Sequence, residues 1–176
     1  ELKPFKRAVE SGLDAIMTAH IALPRIAEEP SLPATLSGKI INGILREQLG
    51  YDGLVLTDGL EMQAIVQSYG SGIAAVMALE AGADMPMILW TAHKQREVYS
   101  ALINAVKEGR ISRARLDQSV RRILKAKFNR RLFHREVEPL KSVLKKQRTH
   151  FLLFFALKKQ FSTQDRKIEF GIVKRT

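Results

Sequence analysis

The stretch Tyr51-Asp-Gly-Leu-Val-Leu-Thr-Asp-Gly59 decides the fold. A turn containing Gly53 leads into Leu54-Val55-Leu56, an unbroken apolar run, and Thr57-Asp58-Gly59 closes it. An apolar run without alternation reads as a strand buried on both faces, the habit of parallel sheets. Two other stretches share the texture: Asp14-Ala-Ile-Met-Thr-Ala19 after Ser11-Gly12, and Asp84-Met-Pro-Met-Ile-Leu89 after Ala81-Gly82. Pro86 fits the third poorly, because proline cannot donate to a strand ladder.

Helical periods separate these runs. Ile40, Ile41, Ile44, Leu45 and Leu49 follow Leu36-Ser37 at helix spacing and stop at Gly50. Ser71 to Ala81 is alanine-rich, and Thr91 to Lys107 carries Val98, Leu102, Ile103 and Val106 on one face before Gly109. Ser112 suits the N-cap of a last helix through Leu116, Val120, Ile123, Leu124 and Lys127. Strand and helix in alternation predict an α/β fold with right-handed crossovers. A closed (β/α)₈ barrel takes about 250 residues, and only three strands are legible in the 176 here.

Composition narrows the function classes. Hydrophobic residues make up 45% and charged residues 27%, which excludes a fibrous or wholly disordered chain. The absence of cysteine excludes a disulfide framework, a cysteine zinc site and a thiol nucleophile. The net charge of +11 is uneven: residues 1–133 hold 18 basic and 14 acidic side chains, residues 134–176 hold 11 and 4. Ten of the eleven glycines precede Phe133, so a boundary is expected there, with 134–176 a basic tail of a different kind. The longest apolar run, Phe151 to Leu157, is far below the roughly 20 residues of a membrane span, so no transmembrane segment is expected. Glu1 opens the chain with no basic-then-apolar leader, the expectation being that processing or fragmentation removed the start. The compartment is left open, with the cytoplasm favoured.

Active sites of α/β folds gather at the C-terminal ends of strands. His20, Asp58 and Trp90-Thr91 occupy those ends. Asp58 has two readings: a cap for a helix starting near Leu60, or a carboxylate that attacks carbon, accepts a proton or binds a metal. Gly59 would let the chain turn sharply after it. His20 suits an acid/base or ligand role and equally a satisfied pocket histidine; His93 and His134 read as surface residues. Glu61 would either pair with Asp58 across a helix turn or stand solvated in a helix first turn. No metal-ligand spacing, phosphate-binding glycine loop or serine nucleophile elbow is present, and no cofactor or metal is expected.

Leu45-Arg-Glu-Gln-Leu-Gly-Tyr-Asp-Gly-Leu-Val-Leu-Thr-Asp-Gly-Leu-Glu-Met62 resembles the nucleophile region of glycoside hydrolase family 3. Gly12-Leu-Asp-Ala-Ile-Met-Thr-Ala-His-Ile21, Pro33-Ala-Thr-Leu-Ser37, Glu80-Ala-Gly-Ala-Asp-Met85 and Arg110-Ile-Ser112 through Leu124 extend the likeness over about residues 1–133. Thr57-Asp-Gly-Leu-Glu-Met62 is more similar to the bacterial β-N-acetylhexosaminidases than to the β-glucosidases, which usually have Trp where Gly59 stands; many hexosaminidases have a second Asp there.

The resemblance implies the last three strand–helix units of a (β/α)₈ TIM-type barrel. It makes Asp58 the nucleophile of a retaining glycosidase acting on terminal β-linked N-acetylglucosamine, in peptidoglycan or chitin fragments. It places His20 and Met62 at pocket-lining, sugar-contacting positions. The family's earlier strands, its Lys-His-Phe-Pro-Gly-His motif and its Asp-Ser-His loop with the acid/base histidine are not found. Since an acid catalyst contributes about 10²–10⁴-fold, the isolated chain is expected to be inactive without a missing N-terminal barrel half as partner. The alternative is a non-catalytic basic protein binding nucleic acid or an anionic membrane. In the tail, Phe151-Leu-Leu-Phe-Phe155 between Lys145-Lys146 and Lys158-Lys159 suits an interfacial helix or nucleic-acid contact, a packing helix, a disordered basic end, or out-of-frame sequence; no specific nucleic-acid partner is expected.

Overall fold

A computed structural model describes residues 1–132. His134, Phe151–Phe155 and the rest of the basic tail lie outside them. Three parallel strands in the order β1-β2-β3 form the sheet: β1 Ala15–Met17, β2 Leu54–Gly59 and β3 Met85–Met87. Ala15, Ile16 and Met17 pair with Leu54, Val55 and Leu56. Side chains alternate along a strand, so Leu56 and Asp58 share one face of β2, while Val55 and Thr57 point to the other and are fully buried.

The third run is a strand despite Pro86, and the ladder shows how. Asp84 N–H donates to Val55 O at 2.8 Å, so a regular parallel ladder would next ask residue 86 for a donor. Pro86 has none. The register slips between Leu56 and Gly59, and Met87 N–H donates to the Thr57 hydroxyl at 2.9 Å instead.

Between β1 and β2 the chain makes a 3₁₀ turn, Ala34–Leu36, and a wide π-type helix, Lys39–Gln48. Leu49 N–H reaches back five residues to Ile44 O at 2.9 Å. The helices are α1 Lys3–Glu10, α2 Gln63–Val66, α3 Ser71–Ala81, α4 Ala92–Lys107 and α5 Arg113–Asn129. The anticipated cap of α5 is present: the Ser112 hydroxyl accepts Arg115 N–H at 3.1 Å. Helix α3 is apolar almost all round and supplies Ala74, Ala75 and Ala78 to a core shared with Ile41, Val55, Leu60, Ile65 and Val98.

Gly82 ends α3 in the left-handed region at φ 113°. A Cβ there would stand 2.8 Å from Asn42 Cγ, so space and conformation both demand glycine. Gly82→Ala is expected to lower stability by about 1–3 kcal/mol, read as an earlier urea midpoint.

Asp84 opens β3 with its side chain fully buried and draws four elements together. Its Oδ2 accepts Arg46 Nη2 at 2.6 Å and Val55 N–H at 3.0 Å. Its Oδ1 accepts the Ser119 hydroxyl at 2.9 Å and Arg122 Nη1 at 3.2 Å, with Arg115 Nη1 at 3.6 Å. Arg115 also donates to the carbonyls of Leu79 and Ala83 at the end of α3. Burial pushes the Arg46 and Arg115 guanidiniums down from their ordinary range, and the Asp84 charge works against that push. Among the described residues no helix is long and apolar enough to cross a membrane.

Candidate active site

Asp58 is half-buried at the C-terminal end of β2. Among the described residues its carboxylate meets only one donor, Gly59 N–H at 2.7 Å, and no cation. It caps no helix. The expected helix at Leu60 begins instead at Gln63, because β2 runs on to Gly59 and Leu60 N–H is held by Met87 O at 3.0 Å. Gly59 turns the chain without a left-handed φ, Met62 N–H closing back on its carbonyl at 3.0 Å. Its role is spatial: a Cβ at 59 would stand 3.0 Å from Leu89 Cδ1 and 3.7 Å from Trp90 Cη2.

His20 lies beneath this turn. Its Nε2 donates to Gly59 O at 3.0 Å, and its Nδ1 meets Thr35 Oγ1 at 2.9 Å. The Gly59 carbonyl can only accept, which sets the Nε2–H tautomer and leaves Thr35 as donor to Nδ1. Thr18 in turn donates to Thr35 at 2.9 Å. Both ring nitrogens of His20, which the resemblance placed at a sugar-contacting position, are therefore engaged by the protein. Met62, also expected there, is 40% exposed immediately before α2, and its N–H donates to the same Gly59 carbonyl at 3.0 Å. His93, near the start of α4, is exposed, as expected.

Glu61 departs from both expectations. It stands before α2 rather than in its first turn, and it does not pair with Asp58. Its Oε2 accepts the N–H groups of Leu89 and Trp90 at 2.9 and 3.0 Å, and its Oε1 accepts that of Thr91 at 3.0 Å. Desolvation pushes the carboxyl up, but the hydrogen bonds from Thr91, Trp90 and Leu89 together outweigh it and hold the group below its ordinary range. The loop after β2 is thereby clamped to the loop after β3. Sequence reasoning missed this clamp and the Asp84 hub; an acid opening an apolar run is the one signal that pointed to the latter.

Among the described residues no cluster of three or more His, Asp or Glu could hold a metal ion. A cavity of about 290 Å³ lies at the opposite, N-terminal end of the strands, beside Asp14, Gly53, Leu54 and Arg122. It is remote from Asp58. The arrangement at the C-terminal edge is thus a carboxylate without a counter-ion among the described residues, on a turn braced by His20 after β1 and tied through Glu61 to the loop after β3. Such a group is suited to attack an electrophilic carbon.

Known proteins carry the same framework. A β-hexosaminidase of Nitrosomonas eutropha is 37% identical over 124 residues, which are 68% of this chain and 34% of that protein. The structure of a glycoside hydrolase family 3 β-N-acetylglucosaminidase from a Paenibacillus species superposes with a TM-score of 0.74 at 46% identity, covering 78% of this chain and 26% of that one. The β-N-acetylglucosaminidase of Thermotoga maritima does so at 0.64 and 32%, covering 70% and 27%. This chain spans about a third of the length of the Nitrosomonas relative. The model of the glycosyl hydrolase family 3 N-terminal domain matches residues 1–126, and the chain belongs to that family.

Proposed function

We infer that residues 1–133 are the C-terminal portion of the (β/α)₈ barrel of a retaining β-N-acetylhexosaminidase, and that Asp58 is its nucleophile. The Asp58 carboxylate, half-buried at a strand mouth and free of any cation among the described residues, carries this reading. In the first step Asp58 attacks the anomeric carbon, the bond to the leaving oxygen breaks, and a glycosyl ester forms. In the second, water hydrolyses the ester and restores the carboxylate. The names of the relatives support a terminal β-linked N-acetylglucosamine as the sugar attacked, and peptidoglycan or chitin fragments as its sources.

His20 and Met62 hold the Gly59 carbonyl from two sides and so fix the turn that aims Asp58; Met62 has an exposed side chain to offer the sugar as well. Neither His20 nor Glu61 is assigned the acid that protonates the leaving oxygen, because their polar atoms are engaged by the protein. A partner segment supplying the other strands and the acid/base group completes the site. The alternative, a basic binding protein, rests on residues 134–176 and draws no support from residues 1–132.

The reading is tested by covalent trapping. A fluorinated N-acetylglucosaminide with an activated leaving group needs no acid for the first step. It is expected to add one sugar mass to the peptide containing Asp58, and to leave Asp58→Asn unlabelled. With the chain reassembled with that partner segment, a sugar found on another residue, or no adduct at all, refutes the assignment.

A further inference from the structure

Two threonines stand behind the histidine that braces the nucleophile turn. Thr18 extends the ladder past β1, its N–H donating to Leu56 O at 2.9 Å. Thr35, fully buried, sits in the 3₁₀ turn Ala34–Leu36. Ala34 N–H donates to Ile21 O at 2.8 Å, and Ala22 bridges to Pro33. The turn carrying Thr35 is thus anchored to the residues that directly follow His20.

One carbonyl settles every proton in this network. Gly59 O can only accept, so neutral His20 carries its proton on Nε2 and leaves Nδ1 bare. Thr35 must then spend its single hydroxyl proton on Nδ1. With that proton committed, Thr18 has to be the donor in its 2.9 Å contact with Thr35. The donors therefore run in one direction, from Thr18 to Thr35, to His20, to the carbonyl of Gly59.

The last residue in that line also holds the nucleophile. Gly59 N–H donates to Asp58 Oδ1 at 2.7 Å, while its carbonyl accepts from His20 and from Met62 N–H. A turn of the His20 ring would release one of the two donors on the carbonyl and let the backbone beside Asp58 tilt. Attack on carbon is sensitive to such a tilt, since a misplacement of about 1 Å can cost about 10²-fold.

We propose that Thr35 is a positioning residue for Asp58: its hydroxyl, oriented by Thr18, holds the His20 ring where Nε2–H meets the Gly59 carbonyl, and so keeps the carboxylate aimed at the anomeric carbon. This rests on the assignment of Asp58 as nucleophile.

The test uses the chain reassembled with its missing N-terminal barrel half and a dinitrophenyl N-acetylglucosaminide as substrate. Thr35→Val keeps the shape and loses the hydroxyl. It is expected to lower kcat about tenfold with KM within about twofold, whereas Thr35→Ser stays within about threefold of the parent. Thr18→Val only frees the Thr35 hydroxyl to rotate and is expected to lower kcat about threefold. With the histidines of this chain alone labelled with ¹⁵N, the His20 Nε2–H resonance is identified by its loss in His20→Gln. It is expected to be protected from exchange with water in the parent and in Thr35→Ser, and to exchange rapidly in Thr35→Val. A merely structural threonine would lower the urea midpoint and move neither readout. Unchanged kcat or unchanged Nε2–H exchange in Thr35→Val overturns the proposal and leaves the nucleophile assignment standing. So does a Thr35→Ser variant as slow as Thr35→Val. Should Thr35→Val fail to fold, Thr18→Val decides, and a kcat equal to that of the parent overturns the proposal. If the parent takes no sugar on Asp58 in the trapping experiment, the nucleophile assignment falls, and the positioning role with it.

Discussion

In the chain reassembled with its missing N-terminal barrel half, Asp58→Ala is expected to cut turnover of a dinitrophenyl N-acetylglucosaminide by about 10³-fold or more. Dinitrophenolate departs without a proton, so this substrate isolates the step in which the nucleophile attacks, whatever group supplies the acid for natural substrates. Loss of the carboxylate removes the covalent route and leaves a small cavity at the anomeric carbon. Azide in the buffer is then expected to recover part of the rate and to yield a glycosyl azide of inverted configuration, since azide attacks from the face Asp58 occupied. Folding stability should barely move, within about 0.5 kcal/mol, as expected for a side chain that among the described residues makes one hydrogen bond, to the amide of the next residue. Stopped-assay kinetics with and without azide, alongside a urea melt, give the answer. Turnover that survives in Asp58→Ala would rule the nucleophile out.

Asp84→Ala should behave in the opposite way, with its damage in the fold. Three guanidiniums, a serine hydroxyl and a backbone amide converge on this one carboxylate. Removing it strands cations already desolvated by burial, and breaking a buried pair from one side costs about 3–5 kcal/mol. At the low end of a typical domain stability of about 5–15 kcal/mol, that is enough to populate the unfolded chain at ambient temperature. Asp84→Asn keeps the shape and one acceptor oxygen and should fall between. Urea midpoints by circular dichroism order the three proteins. A midpoint for Asp84→Ala equal to that of the parent chain would show that the hub adds nothing to stability.

The strands were legible because each apolar run is bounded by a glycine turn, a signal local to a few residues. Helix α1 was missed, since Lys3–Glu10 is short and strongly charged and only Pro4 near its start marks it. Ile40, Ile41, Ile44 and Leu45 satisfy an α-helix and a wider helix equally, so the π-type geometry of Lys39–Gln48 left no trace in the spacing. Asp58 stood out because the end of a buried strand is where chemistry collects. Glu61 did not, because its partners are backbone amides 28 to 30 residues away, and amides carry no sequence signature. The Asp84 hub was hidden for a related reason: Arg46, Arg115 and Arg122 read as ordinary helix-surface charges until the fold turns them inward. The role of His20 was half visible, the strand end predicting its place but not the two acceptor and donor atoms that occupy its ring.

The close approach at Gly59 also bears on how such a site can change over generations. Residues 59, 89 and 90 share one fixed volume at the C-terminal edge of the sheet, so a change at one constrains the others. A side chain gained at 59 must be met by a smaller residue at 89 or by an indole swung out of place. The identity of residue 59 is thereby linked in inheritance to those of residues 89 and 90, and a lineage alters one by first making room in the others.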